Sequence, residues 1–302
     1  MLSNFIPCSE FDMKMREKLI NAIIEKYPFV KSGILAKSLC GRDIHYMRLG
    51  NNESPVLFVA AFHGMEWLTS LVVLIFFEDI CSAVESNADI CGINISSFLK
   101  EQGLFIIPCL NPDGVEISLH GANAAGAYKN LVQSAVEYKN TKHWQANARG
   151  VDLNHNFNAN WDNLHKMEEE ASILGPAPTR YGGPEPESEP ESKALVNLCR
   201  NKAFKRALAF HSQGEEIYWD YGKNTPKDSR LMANVMSIVS GYKVSEPEGL
   251  AVGGGFKDWF ISELKKPGFT IEIGKGQNPL PIDDISSIYK KIEKMLILSL
   301  IM

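Results

Sequence analysis

The hydrophobic pattern of this 302-residue chain changes period repeatedly along its length. Residues 10–27 place Met13, Leu19, Ile20, Ile23 and Ile24 among charges at near-helical spacing and stop before Pro28. That predicts an amphipathic helix within an N-terminal segment, residues 1–30, packed on the rest. Ile44–Leu49 and Pro55–Phe62 then read as a strand pair. The second is a continuous apolar run, as expected of a strand covered on both faces of a sheet. It delivers His63 at its carboxyl end, and a helix begins within the next few residues. Leu104–Pro108 is another buried strand, leading into the turn Asn111-Pro112-Asp113-Gly114. Residues 115–150 read as irregular, and the proline- and glycine-rich residues 175–190 as a loop that opens a helix from Pro190 to Asn201. Ala207–Phe210 is a strand ending at His211, Phe269–Ile273 is a strand carrying Glu272, and residues 284–300 form a closing amphipathic helix. Strands alternate with helices throughout, without a repeat or a linker. The expectation is one α/β domain spanning residues 1–302, with three layers.

Composition narrows the function classes. A net charge of −5 leaves no basic field to recruit nucleic acid or anionic lipid. The most apolar stretch, Trp67 to Phe77, is roughly half the length a bilayer span needs and stops at Glu78 and Asp79, so it reads as a buried helix. Met1-Leu2-Ser3-Asn4-Phe5-Ile6-Pro7 lacks the charged and apolar regions of a secretory signal. Six cysteines are scattered without paired spacing, which suits reduced thiols. Together these features point to a cytoplasmic protein that engages neither membrane nor nucleic acid; they do not bear on oligomeric state.

The chemistry concentrates at strand ends. His63-Gly64-Met65-Glu66 offers an imidazole and a carboxylate at a strand-to-helix turn, ligands that suit zinc. Alone the spacing is weak, and by itself it reads as a hydrogen-bonded histidine at a sheet edge. His211 also follows an apolar strand, and in open α/β sheets the carboxyl ends of strands form the ligand crevice. A third ligand arriving there completes a two-histidine, one-carboxylate site with an open position. Glu272 is flanked by apolar residues within its strand, where a carboxylate is paired or functional; the plain alternative is a structural salt bridge.

His63-Gly64-Met65-Glu66-Trp67, Asn111-Pro112-Asp113-Gly114, Gly150-Val151-Asp152-Leu153-Asn154, the strand into His211, and Ile271-Glu272 resemble the zinc carboxypeptidase family, in that family's order and over roughly residues 30–280. The resemblance implies an α/β/α fold with a mixed twisted sheet. It implies one zinc ion held by His63, Glu66 and His211, with Glu272 as general base. It further implies that Asp152 orients His63 from behind and that Asn154 helps hold the substrate.

The motifs also depart from that pattern. The digestive enzymes follow the motif asparagine with an arginine that grips the substrate's terminal carboxylate; here that residue is His155, which lacks the two-pronged guanidinium. The family's oxyanion arginine falls on Gln145 after Trp144, so Gln145 or the nearby Arg149 must substitute, and the mobile-loop tyrosine falls on Leu250. Segments around Gly182–Ser192, His211–Trp219 and Gly255–Phe260 are instead similar to the bacterial γ-D-glutamyl-diamino acid peptidases of this family. That branch implies cleavage between γ-linked D-glutamate and diaminopimelate or lysine in peptidoglycan-derived peptides. Arg180, His155 and Glu215 are then candidates for binding such a zwitterionic substrate, although Glu215-Glu216 reads equally as a solvent-facing turn. Tyr218, Trp219 and Trp259 read as core. The expected function is a zinc peptidase acting on muropeptides. The rivals are an ordinary metallocarboxypeptidase or related deacylase, and a zinc-containing muropeptide-binding protein without turnover.

Overall fold

The computed structural model describes residues 10–136 and 140–302, so the first part of the expected N-terminal segment lies outside the described residues. In chain order the elements are α1 (Met13–Lys26), β1 (Lys31–Lys37), β2 (Asp43–Gly50), β3 (Val56–Ala60), α2 (Leu68–Ser86), the short pair β4 (Asp89–Ile90) and β5 (Ile93–Asn94), and α3 (Ile95–Glu101). There follow β6 (Gly103–Ile107), α4 (Pro112–His120), α5 (Lys129–Ala135), α6 (Trp161–Glu170), α7 (Pro190–Asn201), β7 (Arg206–Ser212) and β8 (Glu216–Tyr218). The chain ends with α8 (Ser229–Ser240), β9 (Lys243–Ser245), α9 (Phe256–Leu264), β10 (Gly268–Ile273) and α10 (Ile285–Ile301).

One eight-stranded mixed sheet runs in the order β1-β2-β6-β3-β7-β10-β8-β9. Its centre is parallel: β3 pairs with β6 and with β7, and β7 with β10. The continuous apolar runs follow from double coverage. Val56, Phe58 and Ala60 face one core with α2 and α10, while Leu57 and Val59 face the other with α7 and α9. Leu208 and Phe210 of β7 join the first core, and Ala207 and Ala209 join the second. This is the expected α/β/α layering with helices on both faces.

Helix α1 starts where Asp12 accepts the Met15 amide at 2.8 Å, and it buries Leu19, Ile20 and Ile23. The stretch Gly64–Ser86 is long and apolar enough to cross a membrane, yet 83% of its most apolar window is buried inside the fold. Three sequence expectations need correction. The strands read at Ile44–Leu49 and Pro55–Phe62 do not pair with each other, because β6 lies between β2 and β3. Asn111-Pro112-Asp113-Gly114 is the first turn of α4 rather than a free turn. Asn111 accepts the Gly114 amide at 2.8 Å, and Pro112 occupies the first helical position, where its missing amide costs nothing. Residues 115–150 likewise contain the rest of α4 and all of α5.

Behind α4 lies a buried polar knot. Asp113 is fully buried and takes Ser38 Oγ at 2.8 Å, the Cys40 amide at 2.9 Å and Arg42 Nη1 at 2.6 Å. Glu191 is buried nearby, and its carboxyl is pushed up to about 8, chiefly by burial and further by the charges of Asp113 and Glu189. Folding therefore holds a proton on Glu191 that the unfolded chain releases near 4.5. Its contribution to stability is complete below that value and is lost progressively as pH rises towards 8. Glu191→Gln is expected to flatten this part of the pH–stability curve and to raise the urea midpoint at pH 8. An unchanged slope between pH 5 and pH 8 would contradict the assignment.

Candidate active site

His63 follows β3 by three residues, and the turn Gly64–Glu66 carries the chain into α2. The turn is clamped from outside: the Gly64 amide donates to the Gln145 carbonyl and the Met65 amide to the Trp144 carbonyl, both at 2.9 Å. Any side chain at position 64 would run into the Gly114 backbone, with a Cβ only 2.2 Å from its carbonyl oxygen, so glycine is obligatory there. Glu66 and His211 are both buried. His211 lies on β7, its ring stacked on Phe62 with centroids 5.0 Å apart.

These three side chains converge. His63 Nδ1 lies 2.9 Å from Glu66 Oε1, His211 Nδ1 lies 3.1 Å from Glu66 Oε2, and the two Nδ1 atoms are 3.3 Å apart. All three donor atoms fall within 4.8 Å of one another. Zinc sits about 2.0–2.1 Å from an imidazole nitrogen, so two nitrogens at a tetrahedral ion are separated by about 3.3 Å. The donor set therefore fits zinc in both chemistry and spacing. On its far side His63 Nε2 meets Asp152 Oδ1 at 3.0 Å, which fixes the ring and turns Nδ1 towards the cluster. Asp152 is itself held by the Asn154 amide at 3.1 Å and the Arg180 amide at 2.9 Å. The matching ring nitrogen of His211, Nε2, is buried without a partner among the described residues.

The electrostatics express a demand for positive charge. Burial pulls His63 down, but the charges of Glu66 and Asp152 outweigh it and hold the imidazole well above its ordinary value. Burial likewise opposes ionisation of Asp152, yet His63, His155 and the hydrogen bonds keep its carboxyl below the usual range. Burial leads in lowering His211.

Glu272 sits opposite His211 in the parallel β7–β10 register and opposite Glu216 in β8. Burial raises its carboxyl well above the ordinary value, and the Glu66 charge adds to that. No side-chain ion pair involves it among the described residues, so the salt-bridge alternative has no support. His63, His211 and Glu272 all line a cavity of about 710 Å³.

Gln145, Asn154, His155 and Arg180 reach the same cavity. Gln145 Oε1 accepts the Thr179 hydroxyl, and Asn154 Oδ1 accepts the Phe256 amide at 3.0 Å, leaving the Asn154 amide nitrogen available. His155 Nδ1 is tied to the buried Glu168 at 2.7 Å, and Glu168 is also held by the Gly182 amide at 3.1 Å. Leu250 lines the cavity as well but has no polar atom on its side chain to donate.

Two candidates are not brought to the cavity. Arg149 spends its guanidinium on Glu189, at 2.8 Å, because that buried carboxylate needs a partner. Glu215 is pinned by Lys291 at 2.6 Å and Lys275 at 2.9 Å. Neither lines the cavity. Tyr218, expected in the core, lines it instead, its hydroxyl donating to Glu216 at 2.5 Å. Trp259 is core as expected. Sequence reasoning gave no role to Thr179, Glu168, Lys257 or Asp258. Glu168 carries no local signal, since it stands in the charged run Lys166-Met167-Glu168-Glu169-Glu170, whereas Lys257-Asp258 lies within the Gly255–Phe260 segment.

Two histidines and one carboxylate placed to hold a metal ion, at the carboxyl edge of a mixed sheet with a second carboxylate beside them, are the donor set of a zinc metallopeptidase. The chain belongs to the zinc carboxypeptidase family, which matches residues 16–294. It is 34% identical over 282 residues to γ-D-glutamyl-L-diamino acid endopeptidase 1 of Lysinibacillus sphaericus, covering 93% of this chain and 70% of that protein. It is equally 34% identical over 282 residues to the uncharacterized protein YqgT of Bacillus subtilis, covering 92% of this chain and 74% of that one. Among solved structures, bovine thrombin-activatable fibrinolysis inhibitor in complex with tick carboxypeptidase inhibitor superposes with a TM-score of 0.72. The identity there is 23%, over 96% of this chain and 97% of that one, a likeness of fold.

His211→Ala is expected to purify with zinc content reduced to near background, measured by elemental analysis. Zinc at the level of the unaltered protein would remove His211 from the ligand set.

Proposed function

We propose that this protein hydrolyses the γ-D-glutamyl-diamino acid bond of peptidoglycan-derived peptides, using one zinc ion held by His63, Glu66 and His211. The observation that carries the reading is the pairing of an intact donor cluster and adjacent Glu272 with His155 at the position of the carboxylate-gripping arginine. The Lysinibacillus relative supports the choice of bond. Zinc supplies a Lewis acid that polarises the scissile carbonyl and acidifies a water. The chain's own residues do the remainder. Glu272 takes the water proton on a carboxylate oxygen and passes it to the nitrogen of the departing amine. Asp152 keeps His63 oriented, so the cluster need not reorganise during the reaction. Gln145 is assigned the donor to the developing oxyanion, and Asn154, His155 and Arg180 the donors to substrate oxygens, because all four line the cavity that holds Glu272. Arg149 and Glu215 have no part in this scheme.

The described residues act as one catalytic domain in this reading. A reducing, cytoplasmic setting accords with it, since Cys40, Cys81, Cys91, Cys109 and Cys199 are all unpaired.

Purified protein is expected to release the diamino acid from L-Ala-γ-D-Glu-meso-diaminopimelate, and a chelator is expected to stop it. Cleavage of hippuryl-type C-terminal substrates without cleavage of this tripeptide would overturn the substrate assignment. Glu272→Gln should retain zinc while turnover drops by roughly 10²- to 10⁴-fold. Turnover within tenfold of the unaltered enzyme would remove the base role.

A further inference from the structure

Two side chains with a permanent positive charge line the cavity that holds Glu272, Lys257 and Arg180. Lys257 is neutralised by the adjacent Asp258. Arg180 is exposed, and its guanidinium meets no carboxylate among the described residues, unlike those of Arg42, Arg149 and Arg200. Its backbone, by contrast, is tied to the support of the metal donors. The Arg180 amide donates to Asp152 Oδ2 at 2.9 Å, while Asp152 Oδ1 meets His63 Nε2 at 3.0 Å. The Asp152 amide donates in turn to the Tyr181 carbonyl at 2.7 Å. Just upstream, the Gln145 and Ala146 amides donate to the Pro178 carbonyl at 2.9 and 3.0 Å, and the Thr179 hydroxyl donates to Gln145 Oε1. Between these ties Arg180 has a φ of +66°, a left-handed conformation that a residue with a side chain holds only where its surroundings impose it. The loop therefore keeps position 180 at a set place relative to His63, with an unpaired cation at the cavity wall.

A γ-linked glutamate leaves its α-carboxylate free on the acyl side of the scissile bond, two methylene groups from the carbonyl under attack. Inside this cavity that carboxylate meets walls carrying Asp152, Glu248, Asp258 and Glu272. A negative group among carboxylates is repelled unless a cation receives it. A guanidinium suits the task, because its planar fork matches a carboxylate with two parallel hydrogen bonds and its charge does not titrate. The diamino acid lies on the other, leaving side of the bond, so this contact is separate from its recognition.

We propose that Arg180 receives the free α-carboxylate of the γ-linked glutamate, so that the site selects for an ionised carboxylate on the acyl side of the bond. This inference rests on the peptidase reading above. Arg180 then governs which acyl group is accepted without touching the bond that breaks.

The test compares kcat/KM for L-Ala-γ-D-Glu-meso-diaminopimelate and for the same peptide with the glutamate α-carboxylate converted to a carboxamide. The zinc-loaded enzyme is assayed beside Arg180→Gln, which leaves the backbone tie to Asp152 in place. The unaltered enzyme is expected to favour the carboxylate peptide by roughly tenfold or more, the scale of a hydrogen bond between charged groups. In Arg180→Gln the ratio of the two kcat/KM values should fall towards one, through a higher KM for the carboxylate peptide rather than a lower kcat. Arg180→Lys, which keeps the charge and loses the fork, should restore part of the preference. Where Arg180→Gln does not fold, Arg180→Asn, which tolerates the left-handed backbone, is expected to show the same selective loss. Equal cleavage of both peptides by the unaltered enzyme overturns this inference alone, as does a preference that survives in a folded variant. A parallel fall in kcat on both peptides also overturns it, because it marks Arg180 as a donor to the oxyanion or a structural tie. Cleavage of neither peptide by the unaltered enzyme overturns the peptidase reading and this inference with it.

Discussion

Three adjacent parallel strands ending on one edge of the sheet are the constraint on which the site depends. Because β3, β7 and β10 run side by side in the same direction, the chain segments that leave them emerge together. His63 leaves one, His211 ends the second, and Glu272 stands opposite His211 in the third. The residues concerned are separated by as many as 209 positions along the chain, from 63 to 272. Their meeting is fixed by backbone register rather than by loop conformation, and that register is held by apolar strands covered on both faces. A slip of one residue in β10 would turn Glu272 to the opposite face of the sheet.

The second layer of organisation is electrostatic. Glu66, Asp152 and Glu272 crowd carboxylates into a region that also holds two histidines, and burial makes every unneutralised charge there expensive. The responses differ by position. Asp152 keeps its charge because His63 and two backbone amides satisfy it. Glu272, with the Glu66 charge close by, holds its proton more tightly. A divalent cation at the cluster relieves this imbalance, which is why the donor set and the charge pattern lead to the same conclusion. Further out the same rule disposes of other charges: Arg149 goes to Glu189, and Lys257 goes to Asp258.

Much of this was legible in the amino-acid order because buried parallel strands announce themselves as apolar runs, and residues at their ends inherit the crevice. His63, Glu66, His211 and Glu272 could be singled out on that basis, as could the helices at residues 13–26 and 190–201. Legibility failed where the signal is not local. Pro112 looks the same in a free turn and in the first turn of a helix, and only the Asn111 side chain accepting the Gly114 amide distinguishes α4 from a turn. Proximity in sequence to a motif put Arg149 among the candidates, but a buried carboxylate 40 residues away claims it. Glu215 stands next to the strand whose Tyr218 reaches the cavity, but Lys275 and Lys291 claim its carboxylate away from the lining. Glu168 shows the converse: a charged helical position whose side chain turns inward to hold His155.

X-ray absorption at the zinc edge of the purified protein tests the central claim most directly, because it reports the atoms around the metal whatever the substrate proves to be. The account predicts a shell of nitrogen and oxygen scatterers at about 2.0–2.2 Å with the multiple-scattering signature of two imidazoles and no sulfur. A sulfur contribution near 2.3 Å, or a shell with fewer than two imidazoles, would contradict it.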